Sequence, residues 1–284
     1  MTLHHARGPL ELDRCLVMGI VNRTPDSFFD GGRMGLDESI AHAYRLVEEG
    51  ADILDLGAVK AGPGEEVTAR EETERLLPLV EALSDVGVPM SIETARPELA
   101  AAAIDAGAAI LNDVSGLADE GLVDACARTG AALVVMHHGG QIRGRPQAPT
   151  YDDVVAAVIE EWKRLASIAT AGGVEDDRIV VDPGLDFGKN TFHSLELMRR
   201  LDELTAQPWP VLVAPSRKDV VGETLGLPLD DRLEGTLALV ALSVLRGAAI
   251  VRVHDVAASV RVVRMIEATE GRRGPAAPVR GLWL

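Results

Sequence analysis

The sequence predicts an α/β protein built as a single (β/α)8 barrel, the TIM barrel. Short apolar runs rich in Val, Ile and Leu alternate with helical segments along the chain, which is typical of a parallel sheet. Eight such strand–helix units occur with no linker between them, and 284 residues is a usual size for this barrel. Ala-Gly pairs precede several strands, as tight helix-to-strand turns favour. A doubly wound open sheet is the main alternative.

The strands are predicted from apolar runs of strand length that end in polar residues or glycine. Residues 1–14 are interpreted as a lead-in and residues 15–284 as the single barrel domain. The strands are predicted at residues 15–21, 52–57, 88–94, 109–112, 132–136, 178–182, 211–214 and 249–253.

The helices are predicted from a period of about 3.6 residues and from their end signals. The first begins near Asp37 and ends at Gly50, and Pro97 opens the third, where a missing N–H costs nothing. The helices are predicted at residues 37–49, 69–84, 97–107, 120–129, 151–171, 194–205, 230–246 and 257–270.

The composition argues against several classes of protein. A formal net charge of −16 disfavours a nucleic-acid-binding or anionic-membrane-binding surface, so an anionic ligand requires a local cluster of basic groups. The sequence shows neither a signal-peptide core nor an apolar run of about 18 residues. Cys15 and Cys126 lie in apolar contexts and are expected to be reduced. We expect a soluble, cytoplasmic protein.

A polar loop follows the first strand directly. It begins at Asn22 and contains the pair Gly31-Gly32 before the first helix, so it is longer than most strand-to-helix connections. Long polar loops at strand ends often carry function, although a plain surface loop is the alternative.

Polar residues follow nearly every predicted strand, and in a barrel these ends converge on one mouth. They are Asn22, Asp55, Glu93 with Thr94, Asn112 with Asp113, His137 with His138, Asp182, Ser216 to Lys218, and Arg252 with His254. For Asp55, Asp113 and Asp255 we favour a structural role as caps of the following helices. The two adjacent histidines point to opposite sides of a strand and are not expected to share a metal ion.

The remaining residues fall into three chemical groups. Asp182 and Asn112 suit a heterocycle with an amino group beside a ring N–H. Lys218, Arg252 and His254 form a basic cluster that suits phosphate or pyrophosphate. The amide oxygen of Asn22 suits Mg²⁺. The alternative is that Lys218 and Arg252 simply form ion pairs with Asp182 and Glu93.

At these positions the chain resembles dihydropteroate synthases over almost its whole length. The segments that carry the resemblance are MGIVNRTPDSFFDGG (18–32), GADILDLG (50–57), SIET (91–94), ILND (110–113), VVMH (134–137), DPGLDFGK (182–189), SRK (216–218) and RVHDV (252–256). Single segments are weak signals, but their order and their places at strand ends are specific.

The resemblance implies a homodimeric barrel that condenses 6-hydroxymethyl-7,8-dihydropterin pyrophosphate with p-aminobenzoate and releases pyrophosphate with the help of Mg²⁺. It implies that Asp182, Lys218 and Arg252 carry the reaction. The implied pterin contacts are Glu93, Asn112, Asp182, Phe187 and Lys218. Asn22, Arg252 and His254 would hold pyrophosphate, and Asn22 would place the metal.

The departures from the family pattern fall mostly on the acceptor side. Arg23 stands where Val is usual, and the second loop contains Lys60 in place of the usual Thr-Arg pair. Asp219 replaces a Ser that contacts the carboxylate of p-aminobenzoate, and Glu93 replaces Asp. Asp219 would repel that carboxylate unless Arg23 or Lys60 compensates, or unless Asp219 caps the next helix with its charge pointing away.

Three functions are therefore considered. The first is a dihydropteroate synthase. The second is a divergent paralogue that binds the pterin but uses another acceptor or has little synthase activity. The third is a non-catalytic pterin-binding or regulatory protein on the same barrel, because one fold hosts many functions.

Overall fold

A computed structural model of the chain describes residues 1–23, 35–59, 67–140 and 149–280. The expected lead-in contains an antiparallel hairpin of two strands, β1 (Thr2–His5) and β2 (Gly8–Glu11). Leu3 of this hairpin is buried and packs with the apolar side chains that fill the barrel interior. The hairpin therefore closes the N-terminal end of the barrel.

Eight parallel strands follow and confirm the predicted barrel. They are β3 (Leu16–Asn22), β4 (Ile53–Gly57), β5 (Met90–Glu93), β6 (Ile110–Asp113), β7 (Ala132–Met136), β8 (Ile179–Asp182), β9 (Leu212–Val213) and β10 (Ile250–Val253). Their order around the sheet is β8-β7-β6-β5-β4-β3-β10-β9, and a parallel bridge from Val181 to Val211 joins the two ends.

Alternation along each strand separates two apolar layers, because successive side chains point to opposite faces. In β4, Leu54 and Leu56 pack in the large cluster that includes buried helix residues, whereas Ile53 packs in the smaller cluster of the barrel interior. Asp55 and Gly57 share the parity of Ile53 and therefore face inward above it. The inward-facing positions near the ends of four other strands are likewise polar, so these side chains also lie in the upper interior of the barrel. They are Glu93 on β5, Asn112 on β6, Asp182 on β8 and Arg252 on β10.

The helices that surround the strands are α1 (Leu36–Glu48), α2 (Ala69–Ala82), α3 (Pro97–Asp105), α4 (Gly121–Thr129), α5 (Val154–Ala171), α6 (Thr191–Arg199), α7 (Leu201–Thr205), α8 (Asp219–Leu225), α9 (Leu233–Leu245) and α10 (Val256–Thr269). Short 3-10 turns precede β8 and α9, at Asp176–Arg178 and Leu229–Asp231. None of the helices in the described ranges is long and apolar enough to cross a membrane.

The helix predictions differ from the structure mainly between β8 and β10. The helix predicted at 194–205 is divided into α6 and α7 at Arg200, and α8 was not predicted. α5 begins later than expected because Asp153 caps it, accepting hydrogen bonds from the backbone N–H groups of Val155 at 2.8 Å and Ala156 at 3.0 Å.

Trp162 of α5 links the helical layer to the functional end of β8. Its ring is fully buried, and its Nε1–H donates to the backbone carbonyl of Asp182 at 3.0 Å. The same carbonyl accepts the backbone N–H of His137 at 3.1 Å. One buried indole therefore helps to fix the backbone from which the Asp182 side chain projects.

Replacing Trp162 by Phe should remove this hydrogen bond and leave a small void. We expect the free energy of unfolding to fall by about 1 to 3 kcal/mol, as measured by urea denaturation. Trp209→Phe is the matched control, because Trp209 donates to Asp176 at the protein surface and its loss should cost less than about 1 kcal/mol. Equal losses in the two variants would contradict the anchoring role of Trp162.

Candidate functional site

A cavity of about 150 Å³ opens at the carboxyl ends of the strands. Most of the site residues predicted from the sequence line it together, namely Glu93, Asn112, Asp182, Phe187, Lys218, Arg252 and His254. Ser216 adds a hydroxyl, and Ile20, Met136 and Ala214 add apolar surface. The cavity thus combines charged groups with an apolar wall, as ligand sites usually do.

Arg252 lies on the floor of this cavity and is held by two carboxylates. Its Nε donates to Oδ2 of Asp55 at 2.6 Å, and its Nη2 donates to Oε2 of Glu93 at 2.6 Å. Asn112 completes the group, because its Nδ2 lies 3.2 and 3.3 Å from the two oxygens of Asp55. The alternative ion pairing of Arg252 with Glu93 is therefore present in the structure.

The interpretation of Asp55 as a helix cap was wrong. Asp55 is completely buried inside the barrel, where it neutralises Arg252 and orients the amide of Asn112. Burial raises the pKa of the neighbouring Glu93 carboxyl to about 7, against the opposing effect of Arg252. Removing either carboxylate would leave more positive charge on the cavity floor.

Asp182 lines the cavity at the end of β8, two strands away from Arg252 on β10. Its Oδ1 accepts the backbone N–H of Gly184 at 2.7 Å, and burial raises the pKa of the carboxyl. Gly184 has φ +64°, and a Cβ there would collide with the carbonyl oxygen of His137. Glycine is therefore required for this turn, which aims the carboxylate into the cavity.

Lys218 and Phe187 form one wall of the cavity. The Nζ of Lys218 donates to the carbonyl of Leu185 at 2.6 Å and lies 4.8 Å from the centre of the Phe187 ring. Burial lowers the pKa of Lys218, while Asp182 and Asp186 act in the opposite direction. The ammonium group is thus held by the loop that follows β8.

Lys189 and His137 fix that same loop from below, a role that the sequence did not indicate. The buried Nζ of Lys189 contacts Nδ1 of His137 at 2.7 Å and the carbonyls of His137 at 3.0 Å, Gly184 at 2.9 Å and Phe187 at 2.8 Å. Burial lowers the pKa of His137 to about 3, so its ring is neutral and its Nδ1 can accept a hydrogen bond from Nζ of Lys189. The sequence feature that could have indicated this role is the position of Lys189 directly after Gly188 in the loop.

His254 is joined to Ser216, which was not singled out as a separate site residue. Nδ1 of His254 lies 2.9 Å from Oγ of Ser216, and the backbone N–H of His254 donates to the same oxygen at 3.2 Å. Burial, followed by the charge of Arg252, lowers the pKa of His254 to about 4. His254 is therefore a neutral hydrogen-bonding group near neutral pH and not the cation that the sequence suggested.

Two other strand-end carboxylates have structural roles, as expected, but with different partners. Asp113 accepts from the backbone N–H groups of Ser115 at 2.8 Å and Leu117 at 2.6 Å, and so fixes a turn. Asp255 forms a two-point ion pair with Arg217, with both N–O distances 3.0 Å. Neither carboxylate caps a helix through its side chain.

Two of the predicted acceptor-side residues, Arg23 and Asp219, are not among the described residues that line the cavity. Arg23 donates from Nη1 to the carbonyl of Arg75 on α2 at 2.5 Å. Asp219 is the first residue of α8, and its Oδ1 accepts from Nη1 of Arg232 at 3.1 Å. Lys60 lies outside the described residues. The charge of Asp219 is therefore balanced by a neighbouring arginine.

Asn22 projects from the end of β3 beside Gly57, its partner in the neighbouring strand. Its Oδ1 lies 3.1 Å from the position that a Cβ of residue 57 would occupy. Within residues 1–23, 35–59, 67–140 and 149–280, no group of three or more His, Cys, Asp or Glu side chains could hold a metal ion. A metal ion bound at Asn22 would therefore need its other oxygen ligands from a bound substrate or from water.

Comparisons with known proteins agree with this geometry. A family model described as "Pterin binding enzyme" matches residues 18–254. The chain is 46% identical over 282 residues to "Inactive dihydropteroate synthase 2" of Mycobacterium leprae, covering 96% of this chain and 97% of that protein. It is 38% identical over 263 residues to the dihydropteroate synthase of Escherichia coli, covering 92% and 93%.

A solved structure gives the same result at the level of the fold. The dihydropteroate synthase of Yersinia pestis in a sulfonamide drug complex matches with a TM-score of 0.92 and 36% identity, covering 96% of this chain and 100% of that chain. Matches that extend over nearly all of this sequence and of its relatives show that the chain belongs to the dihydropteroate synthase family of pterin-binding enzymes.

Proposed function

We propose that this chain is a dihydropteroate synthase-type transferase. It would condense 6-hydroxymethyl-7,8-dihydropterin pyrophosphate with p-aminobenzoate and release pyrophosphate. The observation that carries this proposal is the convergence of Asp182, Asn112 and Lys218 on one cavity beside the Phe187 ring. These are the groups that a flat, hydrogen-bonding heterocycle needs.

The residues proposed to bind the pterin ring are oriented by hydrogen bonds to neighbouring groups. One oxygen of Asp182 is occupied by Gly184, which leaves the other oxygen to accept an N–H of the pterin. Because Nδ2 of Asn112 faces Asp55, its carbonyl oxygen can accept the second ring donor. Lys218 can donate to the ring carbonyl, and Phe187 can pack against the ring face.

The leaving-group half lies toward Arg252 and His254. As the bond between the pterin methylene carbon and oxygen breaks, pyrophosphate keeps the electron pair, and the acceptor nitrogen then bonds to that carbon and loses a proton. Arg252 would stabilise the negative charge on the leaving group, and the neutral His254 would donate a hydrogen bond to it.

Mg²⁺ is proposed at the same side of the cavity, held by Asn22. Because residue 57 is Gly, no side chain covers the amide oxygen of Asn22, and an amide oxygen suits a hard cation. One protein oxygen is enough, because Mg²⁺ typically keeps several waters and takes further oxygens from phosphate groups. When bound, the ion would supply positive charge next to the departing pyrophosphate.

A second candidate is a divergent paralogue that binds pterin but turns it over slowly or uses another acceptor. The relative in Mycobacterium leprae carries the word "inactive" in its name. In this chain Arg252 is already paired with Glu93, and Asp219 stands where the family resemblance implies Ser. A third candidate, a non-catalytic pterin-binding or regulatory protein, would need only the residues proposed to bind the pterin ring and not those on the leaving-group side.

One assay separates these three functions. Purified protein is mixed with the pterin pyrophosphate, Mg²⁺ and p-aminobenzoate, and pyrophosphate and dihydropteroate are both measured. We expect both products in equal amounts. Saturable pterin binding with no dihydropteroate would reject the synthase and retain the paralogue or the binding protein. Absence of pterin binding would reject all three.

The location and assembly of the protein are also proposed. We propose a cytoplasmic protein, because Cys15 and Cys126 are both buried, unpaired thiols. We also propose a homodimer built on α9 and α10, which pack against each other. Each of these helices carries a large exposed apolar side chain, Leu245 at 55% and Met265 at 64% exposure, which is typical of a covered surface.

Asp182→Ala should abolish pterin binding, because it removes the buried carboxylate that faces the ring N–H groups. We expect the affinity for 6-hydroxymethylpterin, measured by calorimetry, to fall at least about a hundredfold, in line with about 3 kcal/mol for a charged hydrogen bond. Asp177→Ala, on the exposed turn before the same strand, is the control. Unchanged affinity in the Asp182 variant would refute the proposed pterin site.

Asp219→Ser tests the acceptor side. Since Arg232 already balances the charge of Asp219, we expect the affinity for p-aminobenzoate to change less than about threefold, or less than about 0.7 kcal/mol. Calorimetric titration of both proteins provides the measurement. A much tighter complex in the variant would show instead that Asp219 repels the acceptor carboxylate.

Leu245→Glu should separate the proposed dimer, because it places a charge in the apolar contact. We expect the mass measured by light scattering after size exclusion to fall to that of the monomer. Leu225→Glu is the control, since Leu225 is similarly exposed at 51% but lies at the end of α8. A wild-type protein that is already monomeric, or a loss of mass in the control alone, would contradict this interface.

A further inference from the structure

Arg252 is always positively charged and lies on the floor of the cavity. Two of its guanidinium nitrogens are already paired with carboxylates. Asp55 is completely buried against its Nε, and Glu93 contacts its Nη2 at 2.6 Å. Glu93 keeps only about 10% of its side chain exposed, and Arg252 about 16%. The two carboxylates therefore hold the guanidinium in a nearly dry environment, where charge-assisted hydrogen bonds are strong.

The charges around the cavity do not favour an incoming anion. Among the residues that the structure describes, three carboxylates face it or its floor, those of Asp55, Glu93 and Asp182, together with two cations, Lys218 and Arg252. Burial raises the pKa of Glu93 to about 7, so above that pH, with all five groups ionised, three negative charges against two positive charges leave one net negative charge. A pyrophosphate group, which carries several negative charges, must overcome this field to reach Arg252.

The side-chain length of Glu93 is what makes this ion pair possible. β5 ends at Glu93, whose neighbours in the sheet are Gly57 on β4 and Asn112 on β6, so the carboxylate must reach across to β10. A shorter Asp would lose one carbon–carbon bond of about 1.5 Å. A contact of 2.6 Å would then become a separation too long for a hydrogen bond.

We propose that Glu93 is a specificity-determining residue that competes internally with pyrophosphate for Arg252. This proposal rests on the proposed function, because it assumes that the pyrophosphate of the pterin substrate approaches Arg252. Glu93 then lowers the affinity of the leaving-group half for anions while the pterin half is unchanged. The site holds a pterin ring more readily than it holds the activated, pyrophosphate-bearing form.

Two variants of Glu93 remove its contact with Arg252 as a charged partner in different ways. Glu93→Gln keeps the side-chain length but not the charge, and Glu93→Asp keeps the charge but not the reach. The probe is inorganic pyrophosphate with Mg²⁺, titrated calorimetrically into each protein. Glu98→Gln is the matched control, because it removes one negative charge from an exposed position in the first turn of α3.

We expect each Glu93 variant to bind pyrophosphate at least tenfold more tightly than the wild type. The Glu98 control should change the affinity less than about twofold, because an exposed charge is screened. Unchanged or weaker pyrophosphate binding in both Glu93 variants would overturn the proposal. Thermal unfolding of each variant is measured alongside, and if one variant does not fold, the other decides the outcome by the same tenfold criterion.

Failure of this proposal and failure of the proposed function give different results. If the wild type binds 6-hydroxymethylpterin but neither Glu93 variant gains affinity for pyrophosphate, the pterin site stands and the competition by Glu93 is rejected. If the wild type binds no pterin, the proposed function is rejected. The pyrophosphate titrations then still decide whether Glu93 keeps anions from Arg252.

Discussion

The buried guanidinium of Arg252 is the constraint on which the rest of the site depends. Removing one partner of a buried, hydrogen-bonded ion pair typically costs about 3 to 5 kcal/mol, because the other charge stays buried without compensation. Asp55 and Glu93 supply that compensation from two neighbouring strands. Asp55 also orients Asn112, so the charge balance of the leaving-group side and the hydrogen-bonding direction of the pterin side are set by the same carboxylate.

The other half of the site depends on one loop rather than on the strands. The loop between β8 and α6 supplies the backbone N–H that holds Asp182, the backbone carbonyl that holds Lys218, and the side-chain ring of Phe187. Lys189 ties this loop to His137 through buried hydrogen bonds. Because loops without such contacts open easily, the buried lysine is the physical reason that this loop can present ordered ligand contacts.

The sequence predicted those residues whose position follows from strand parity and strand ends. Asp182 and Asn112 belong to this group, and they line one cavity with Lys218, which lies in the loop after β9. Asp55 could not be assigned in the same way, because a carboxylate at a strand end serves equally well as a helix cap or as an inward charge until the register of the neighbouring strands is known. The fold shows the same limit, since the hairpin at residues 2–11 and the short helix α8 carry too few residues for a clear period.

Pairs that are distant in sequence were the hardest to predict. Asp219 looked like an uncompensated charge because Arg232 belongs to the start of another helix, and only the packing of α8 against α9 brings the two together. The same holds for Arg217 with Asp255. An interpretation that considers only the charges of sequence neighbours therefore overestimates the repulsion between a strand-end carboxylate and an anionic ligand. In a barrel mouth, an adjacent loop or helix supplies the opposite charge.

Binding and turnover place different demands on this barrel. Recognition of a pterin ring needs a few fixed donors and acceptors, and the cavity has them in Asp182, Asn112 and Lys218. Catalysis also needs positive charge where the leaving group becomes negative, since only interactions that are stronger in the transition state accelerate the reaction. In this chain the cation at that position is shared with Glu93. The pterin-binding residues and the cation on the leaving-group side can therefore be altered separately, because a change at Glu93 acts on Arg252 and leaves Asp182, Asn112 and Lys218 in place.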